Sequence, residues 1–512
     1  MNIIIRHKVG FIMFLFFMIT TKALGENSFT ENSFIYKINP NKVGVSLIGY
    51  EHLSMFKGND TLHIASSVSH EGKSFPVKHI GEKALAGLNT VKFIVIDEGI
   101  ESIGNYSFER CLNLEGIYLP SSVEGIGLGI LGSCHNLTTV VVDSKNEVFD
   151  SRDNCNAIII TEENELLSGC SSTKIPSSVK TIGESAFYHC GTMEQITIPE
   201  GVEKIGRCAF WGCSMLKWVS LPESLREIEG DAFCGCNSIE SIIIPRNVNK
   251  IGEVNIFRGC ESLSSITVDE TNKTYRSWAN SNAIVRETDS ALVATCKKTV
   301  VTENIRKLAP YCFAGTCIRN IRLPRSVVVI SDDAFDGCYG IDSLSVDKNN
   351  PLFKSPLGTN AIMTKDGKKL VLGCGATKIP NGTESIGNKA FMGRYSKLVL
   401  KVPDGLKTIG NEAFSNNNYI SEIVLPLSVN KIGHSAFSYC HNLKAVQIPK
   451  IDVIESFTFA NCANLSVVNI SEGVKKIGDR AFEGCFKLKD IHLPASIEII
   501  DHSAFKDCPF PN

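Results

Sequence analysis

Three cysteines in this chain have a histidine beside them: Cys134-His135, His189-Cys190 and Cys440-His441. A thiol next to an imidazole is the material of a nucleophilic site, in which the imidazole takes the proton and the thiolate attacks. The chain holds 19 cysteines, so metal binding and disulfides are the other chemistries to weigh. Cys234-Gly235-Cys236 and the pair Cys312 and Cys317 lack the paired-knuckle spacing of a zinc site. No GxSxG, HExxH or P-loop occurs, and the carboxylates are scattered. The residues therefore point to no catalytic centre, no cofactor and no metal.

The cysteines have a simpler order. Cys111, Cys134, Cys190, Cys213, Cys236, Cys260, Cys338, Cys440, Cys462, Cys485 and Cys508 each stand three residues after a member of one column. That column reads Leu85, Phe108, Leu131, Phe187, Phe210, Phe233, Phe257, Phe313, Phe335, Phe391, Phe414, Phe437, Phe459, Phe482 and Phe505. Its steps are 22, 23 or 24 residues, except for three steps of 56. A fixed period of this size marks a solenoid with one structural unit per repeat. In such a stack equivalent cysteines lie ~4.8 Å apart, whereas a disulfide needs Cβ atoms ~3.8 Å apart. Each cysteine would also have two equal neighbours. The column is expected to hold free, buried thiols acting as small hydrophobes. Cys208 with Cys234 and Cys312 with Cys317 stay open as local pairs.

Residues 193–213 show how one unit folds. Met193, Ile196 and Ile198 are separated by polar residues, the pattern of a short strand. Pro199 ends it, because proline cannot donate to a ladder. Val202 and Ile205 turn back inside, Gly206 permits a turn, and Ala209, Phe210 and Cys213 follow at helical spacing. Such a unit cannot bury its apolar face alone, but stacked units can. The expectation is an α/β repeat solenoid: a strand-dominated, leucine-rich-repeat-like stack of about 15 coils of ~23 residues, three with hairpin-bearing insertions.

The three long steps resemble one another. Asp143, Asp269 and Asp347 are followed 14 residues later by Ala157, Ala283 and Ala361, each within Asn-Ala-Ile, and 13 residues after those by Cys170, Cys296 and Cys374. Asp366-Gly367 is a hairpin turn signal. Each long step reads as a divergent coil with a hairpin arm that either widens the surface or lengthens one turn.

The pattern resembles the BspA-like leucine-rich repeat family of surface proteins. The resemblance rests on Ile198-Pro199, Val202, Ile205-Gly206, Ala209-Phe210 and Cys213 and on their recurrence over about residues 60–508. Arg394 and Asn417 depart from it where cysteine is usual. The family implies a non-enzymatic adhesin for host or matrix proteins or for other cells; a glycan-binding module for nutrient capture is the alternative. The shared motif is the core, so no ligand residue carries over.

Residues 1–25 read as a signal peptide: Arg6 and Lys8 precede an apolar run from Val9 to Ile19, and Ala23-Leu24-Gly25 offers small residues for cleavage. That run is short for a membrane span, so the mature chain is expected to be secreted or at the extracellular surface, with no transmembrane segment. Its removal leaves 49 basic against 54 acidic residues, which argues against a nucleic-acid partner. Residues 26–70 are expected to form a β-hairpin cap, 71–508 the solenoid and 509–512 a tail. Binding is then expected on the outward strand positions, two and four before the proline. They include Tyr118, Gln195, Thr197, Trp218, Ser220, Arg322, Lys401, Gln447, Asn469 and His492. Tyr188 with Trp211, one after the anchor in successive coils, and Trp278 in the second arm are further aromatic candidates.

Overall fold

A computed structural model describes residues 27–40, 44–51, 60–278, 281–397 and 399–509. The signal peptide assigned to residues 1–25 lies outside them. The described chain winds into a β-solenoid of about 18 turns, the three divergent segments supplying turns beyond the anchored ones.

An anchored coil has two strands, except that the coils of Phe187, Phe313 and Phe391, which follow the hairpins, have the second alone. The first carries the surface: Gln195–Thr197 pairs in parallel with Trp218–Ser220, Gln195 opposite Trp218. The second is shorter: Lys204–Ile205 pairs with Glu227–Ile228. Between Gly206 and Cys213 the chain does not become a helix. The Ala209 amide bonds to Gly206 O within its own coil, but the Phe210 amide reaches Ala232 O of the next coil at 2.8 Å. Every second donor is thus used for stacking, and the segment stays a run of turns. Among the described residues the one helix is the 3-10 turn Arg152–Asn154.

The anchor rings lie like on like. Phe187, Phe210 and Phe233 stack at 5.0 and 5.2 Å, within 5° of parallel. Phe391, Phe414, Phe437, Phe459, Phe482 and Phe505 continue at 5.1–5.5 Å. The core is parted into three blocks, with boundaries at the first and third divergent coils.

The hairpins in those coils are partitions. Ala157–Ile160 pairs antiparallel with Glu165–Gly169, and Ala361–Thr364 with Lys369–Gly373. Successive strand residues point to opposite faces: Ala157, Ile159 and Leu166 pack into the block that follows, Ile158 and Leu167 into the block before. The third hairpin divides Ala361, Met363 and Leu370 from Ile362 and Leu372 in the same way. The arms therefore neither widen the surface nor only lengthen a turn. Both faces are buried, and the second strand rejoins the stack in parallel, Leu166 opposite Ile182. On the turn side the coils flanking the hairpin meet directly: Thr192 Oγ1 donates to His135 O, and Gly259 N to Gly315 O. Each divergent coil is thus a wedge, present on the strand side and absent from the turn side.

At the N-terminal end Ser28–Glu31, Phe34–Ile38 and Val45–Tyr50 form an antiparallel meander, and its last strand joins Lys73–Ile80 in parallel. At the other end Ile500 is 43% exposed where its equivalent one coil earlier, Ile477, is fully buried.

Candidate binding surface

The thiol column is structural. All 19 cysteines are free, so Cys208 with Cys234 and Cys312 with Cys317 are not disulfides. The column thiols are donors as well as hydrophobes. Cys213 Sγ donates to Phe187 O at 3.1 Å, Cys236 to Phe210 O at 3.1 Å and Cys440 to Phe414 O at 3.2 Å. Each reaches the anchor carbonyl of the preceding coil. Where cysteine is missing another donor takes the bond: Asn417 Nδ2 reaches Phe391 O at 2.9 Å, and the buried Arg394 guanidinium reaches Phe335 O at 3.2 Å across the third hairpin. Burial pushes the Cys440 thiol up to about 12. The thiols beside His135 and His441 point at carbonyls, Cys134 at Phe108 O and Cys440 at Phe414 O. No thiolate nucleophile is set up there.

A second repeated device joins the divergent coils to the stack. Asn350 is fully buried. Its Nδ2 donates to Pro324 O and Val327 O at 2.8 and 2.9 Å, and its Oδ1 accepts from Leu352 N and Phe353 N at 3.0 and 2.8 Å. Asn146 and Asn272 make the same four bonds. Their signal was an asparagine three residues after each of Asp143, Asp269 and Asp347.

The outward strand face is an in-register surface. Its first stretch aligns His63, Val95, Tyr118 and Val141 across four strands, Thr61–Ile64, Phe93–Ile96, Gly116–Leu119 and Thr139–Val142. Tyr118 is 37% exposed and Val141 38%. In the second stretch Trp218 is 51% exposed and stands beside Gln195, with exposed Ile243 on Ser241–Ile244. Arg322 is exposed and faces Asp347 at 3.6 Å. In the last stretch Lys401, Val424, Gln447, Asn469 and His492 are all exposed; Lys401 stands opposite Val424, Gln447 opposite Asn469, and Asn469 opposite His492.

The turn side carries the other aromatics. Tyr188 lies 6.5 Å from Trp211 and 5.9 Å from Tyr106. Arg258 sits over the Trp211 ring at 5.2 Å and pairs with Asp231 at 3.1 Å. One face of that indole is therefore already covered. Trp278 is partly buried against the middle core block, with Arg276 over its ring, so it packs inward rather than standing as an open platform. At the third wedge Lys389 Nζ meets Asp333 at 2.5 Å and Asp336 at 3.4 Å. Burial pulls this ammonium down, but the carboxylates outweigh it and its pKa rises. The cluster clamps coils on either side of the wedge.

Among the described residues no group of three His, Cys, Asp or Glu side chains is placed to hold a metal ion. No helix among them is long and apolar enough to cross a membrane.

A family profile described as "BspA type Leucine rich repeat region" matches residues 66–164, 163–285, 293–355 and 377–510 in six copies. A search of curated proteins finds no match. Similar solved structures include a leucine-rich cell surface protein from Faecalibacterium prausnitzii, 21% identical over 91% of this chain and 94% of that one, TM-score 0.35. A leucine-rich repeat protein from Bacteroides ovatus is 23% identical over 92% and 95%, TM-score 0.31. The pneumococcal vaccine antigen PcpA is 15% identical over 92% and 98%, TM-score 0.26.

Proposed function

Since the chain belongs to the family of BspA type leucine-rich repeat proteins, we propose that it is a secreted or surface-associated, non-enzymatic binding protein. It adheres to host or matrix proteins, or to other cells, through its outward strand face. The observation behind this reading is that ladder register places exposed Tyr118, Trp218, Lys401 and His492 on one side of the coils. Solenoids present extended surfaces of this kind, and aromatic and charged side chains on them are the usual anchors. A second reading, glycan capture, has the half-exposed run Tyr106, Tyr188 and Trp211 behind it.

The test is binding of the purified chain to immobilised extracellular-matrix proteins, beside a glycan array. Tyr118→Ala and Trp218→Ala should each weaken protein binding about tenfold, as loss of one interface anchor does, with the melting temperature unchanged. Affinity kept in both variants for every ligand would sink the strand-face assignment. Binding confined to the array would favour the glycan.

A further inference from the structure

The strand face is not uniform, and its first stretch has a distinct chemistry. Over Thr61–Ile64, Phe93–Ile96, Gly116–Leu119 and Thr139–Val142 the outward side chains include Phe93, Val95, Tyr118 and Val141. A Cβ at Gly116 would stand 2.9 Å from Phe93 Cδ1. The phenyl ring therefore lies across that glycine and closes the gap in an apolar stripe.

The stripe is fenced by carboxylates at both ends of its strands. Asp60 and Glu115 precede strands one and three; Asp97 and Asp143 follow strands two and four. The cation at this border, Lys92, is already paired with Asp60 at 3.4 Å. His63 faces Asp97 at 3.6 Å. The surrounding region, residues 26–150, carries nine Lys and Arg against 15 Asp and Glu. The last stretch, by contrast, presents exposed Val424 among Lys401, Glu422, Gln447, Asn469, Asp490 and His492, and residues 377–512 carry 15 basic against 13 acidic side chains.

We infer that the stripe formed by Phe93, Val95, Tyr118 and Val141 is the docking site for a cationic polypeptide segment with alternating apolar side chains. The occupant follows from complementarity. The stripe removes apolar side chains from water, while the carboxylate fence attracts lysine or arginine and repels acidic partners. A strand-like segment suits it, because its side chains alternate with period two across a surface of parallel strands. The inference deepens the adhesive reading above and rests on it.

Three labelled octapeptides test it by fluorescence anisotropy with the full chain: alternating Lys-Val, alternating Glu-Val and alternating Lys-Ser. The Lys-Val peptide should bind at least tenfold tighter than either of the others, and more weakly as salt rises. Tyr118→Ser should lower its affinity about tenfold, as should the double variant Asp97→Asn with Asp143→Asn, while Asn442→Ala, at an exposed residue outside the outward strand positions, leaves it unchanged. Tyr118 is exposed, so an unshifted melting temperature will show that the variant folds. Failure of the Lys-Val peptide to bind, equal binding of the Glu-Val peptide, or indifference to Tyr118→Ser overturns the inference. If a matrix protein still binds and loses affinity in Gln447→Ala or His492→Ala, the strand-face reading stands and only this site falls.

Discussion

Anchored coils and divergent coils meet the same need with different parts. In an anchored coil, stacking relies on a phenyl ring and on one thiol bonded to the preceding anchor carbonyl. In a divergent coil no such ring is present. A two-faced hairpin takes its place, separating core blocks at the first and third of these coils, and a buried asparagine ties each coil to the one before. The first device is repeated and local, so its energy is spread over many similar interfaces. The second occurs three times: the first and third sites part the core blocks, and the middle one lies within a single block. The difference teaches that this array is a set of short stacks joined at wedges, rather than one uniform rod.

The largest expected effect is in the anchored stack. Phe414 is fully buried and has ring partners on both sides, Phe391 at 5.1 Å and Phe437 at 5.4 Å. Phe414→Ala should cost about 3–5 kcal/mol. Hydrogen exchange should show the loss concentrated between residues 391 and 505. Loss spread equally over residues 187–257 would mean that the wedges do not divide the array, and the contrast between coil types would fail.

Next comes the joint. Asn350→Ala strands two carbonyls and two amides in a buried site, and we expect about 2–4 kcal/mol. The same change at Asn442, whose exposed side chain donates to Asn418 O and accepts from Asn464 Nδ2 at 3.4 Å, should cost less than about 0.5 kcal/mol, because water replaces both bonds. Urea denaturation of the three proteins decides it. Equal midpoints for the Asn350 and Asn442 variants would reduce the repeated asparagine to a turn residue.

The anchored coils were legible in the sequence because the ladder places equal residues on equal residues, so Phe210 and Ile205 announce their spacing. The partitions were legible only in part. Asp366-Gly367 signalled a hairpin, but four apolar residues in a row, Ala157 to Ile160, fit a strand buried on both faces and a buried helical segment alike. Asn350 was hidden because asparagine near Asp347 reads as turn chemistry. The thiol bond was hidden because hydrophobicity alone accounts for a buried cysteine. The clue lay in what replaces it: Arg394 and Asn417 share with cysteine a donor, not an apolar surface. On the binding face, exposure could be read from strand alternation. The fence of Asp60, Asp97, Glu115 and Asp143 required knowing which strands are neighbours.

The smallest effect separates the thiol from its mere volume. Cys440 is raised by burial from an ordinary 9.0 to about 12, and Cys338 to about 11, where burial outweighs the opposing pull of Arg394. The unfolded chain ionises these thiols near 9; the folded chain keeps them protonated. Unfolding therefore releases protons above pH 9, and stability intact below that value declines as pH climbs towards 11 and 12. Each such thiol contributes a slope of about 1.4 kcal/mol per pH unit within the window. Comparing urea midpoints at pH 8 and pH 10 should show a smaller drop for Cys440→Ala than for the parent, by about that amount. Cys440→Ala also removes the bond to Phe414 O, a loss expected at both pH values alike. A pH drop identical in the two proteins would mean that Cys440 ionises within the fold, and that its bond to the neighbouring coil does not hold the proton in place.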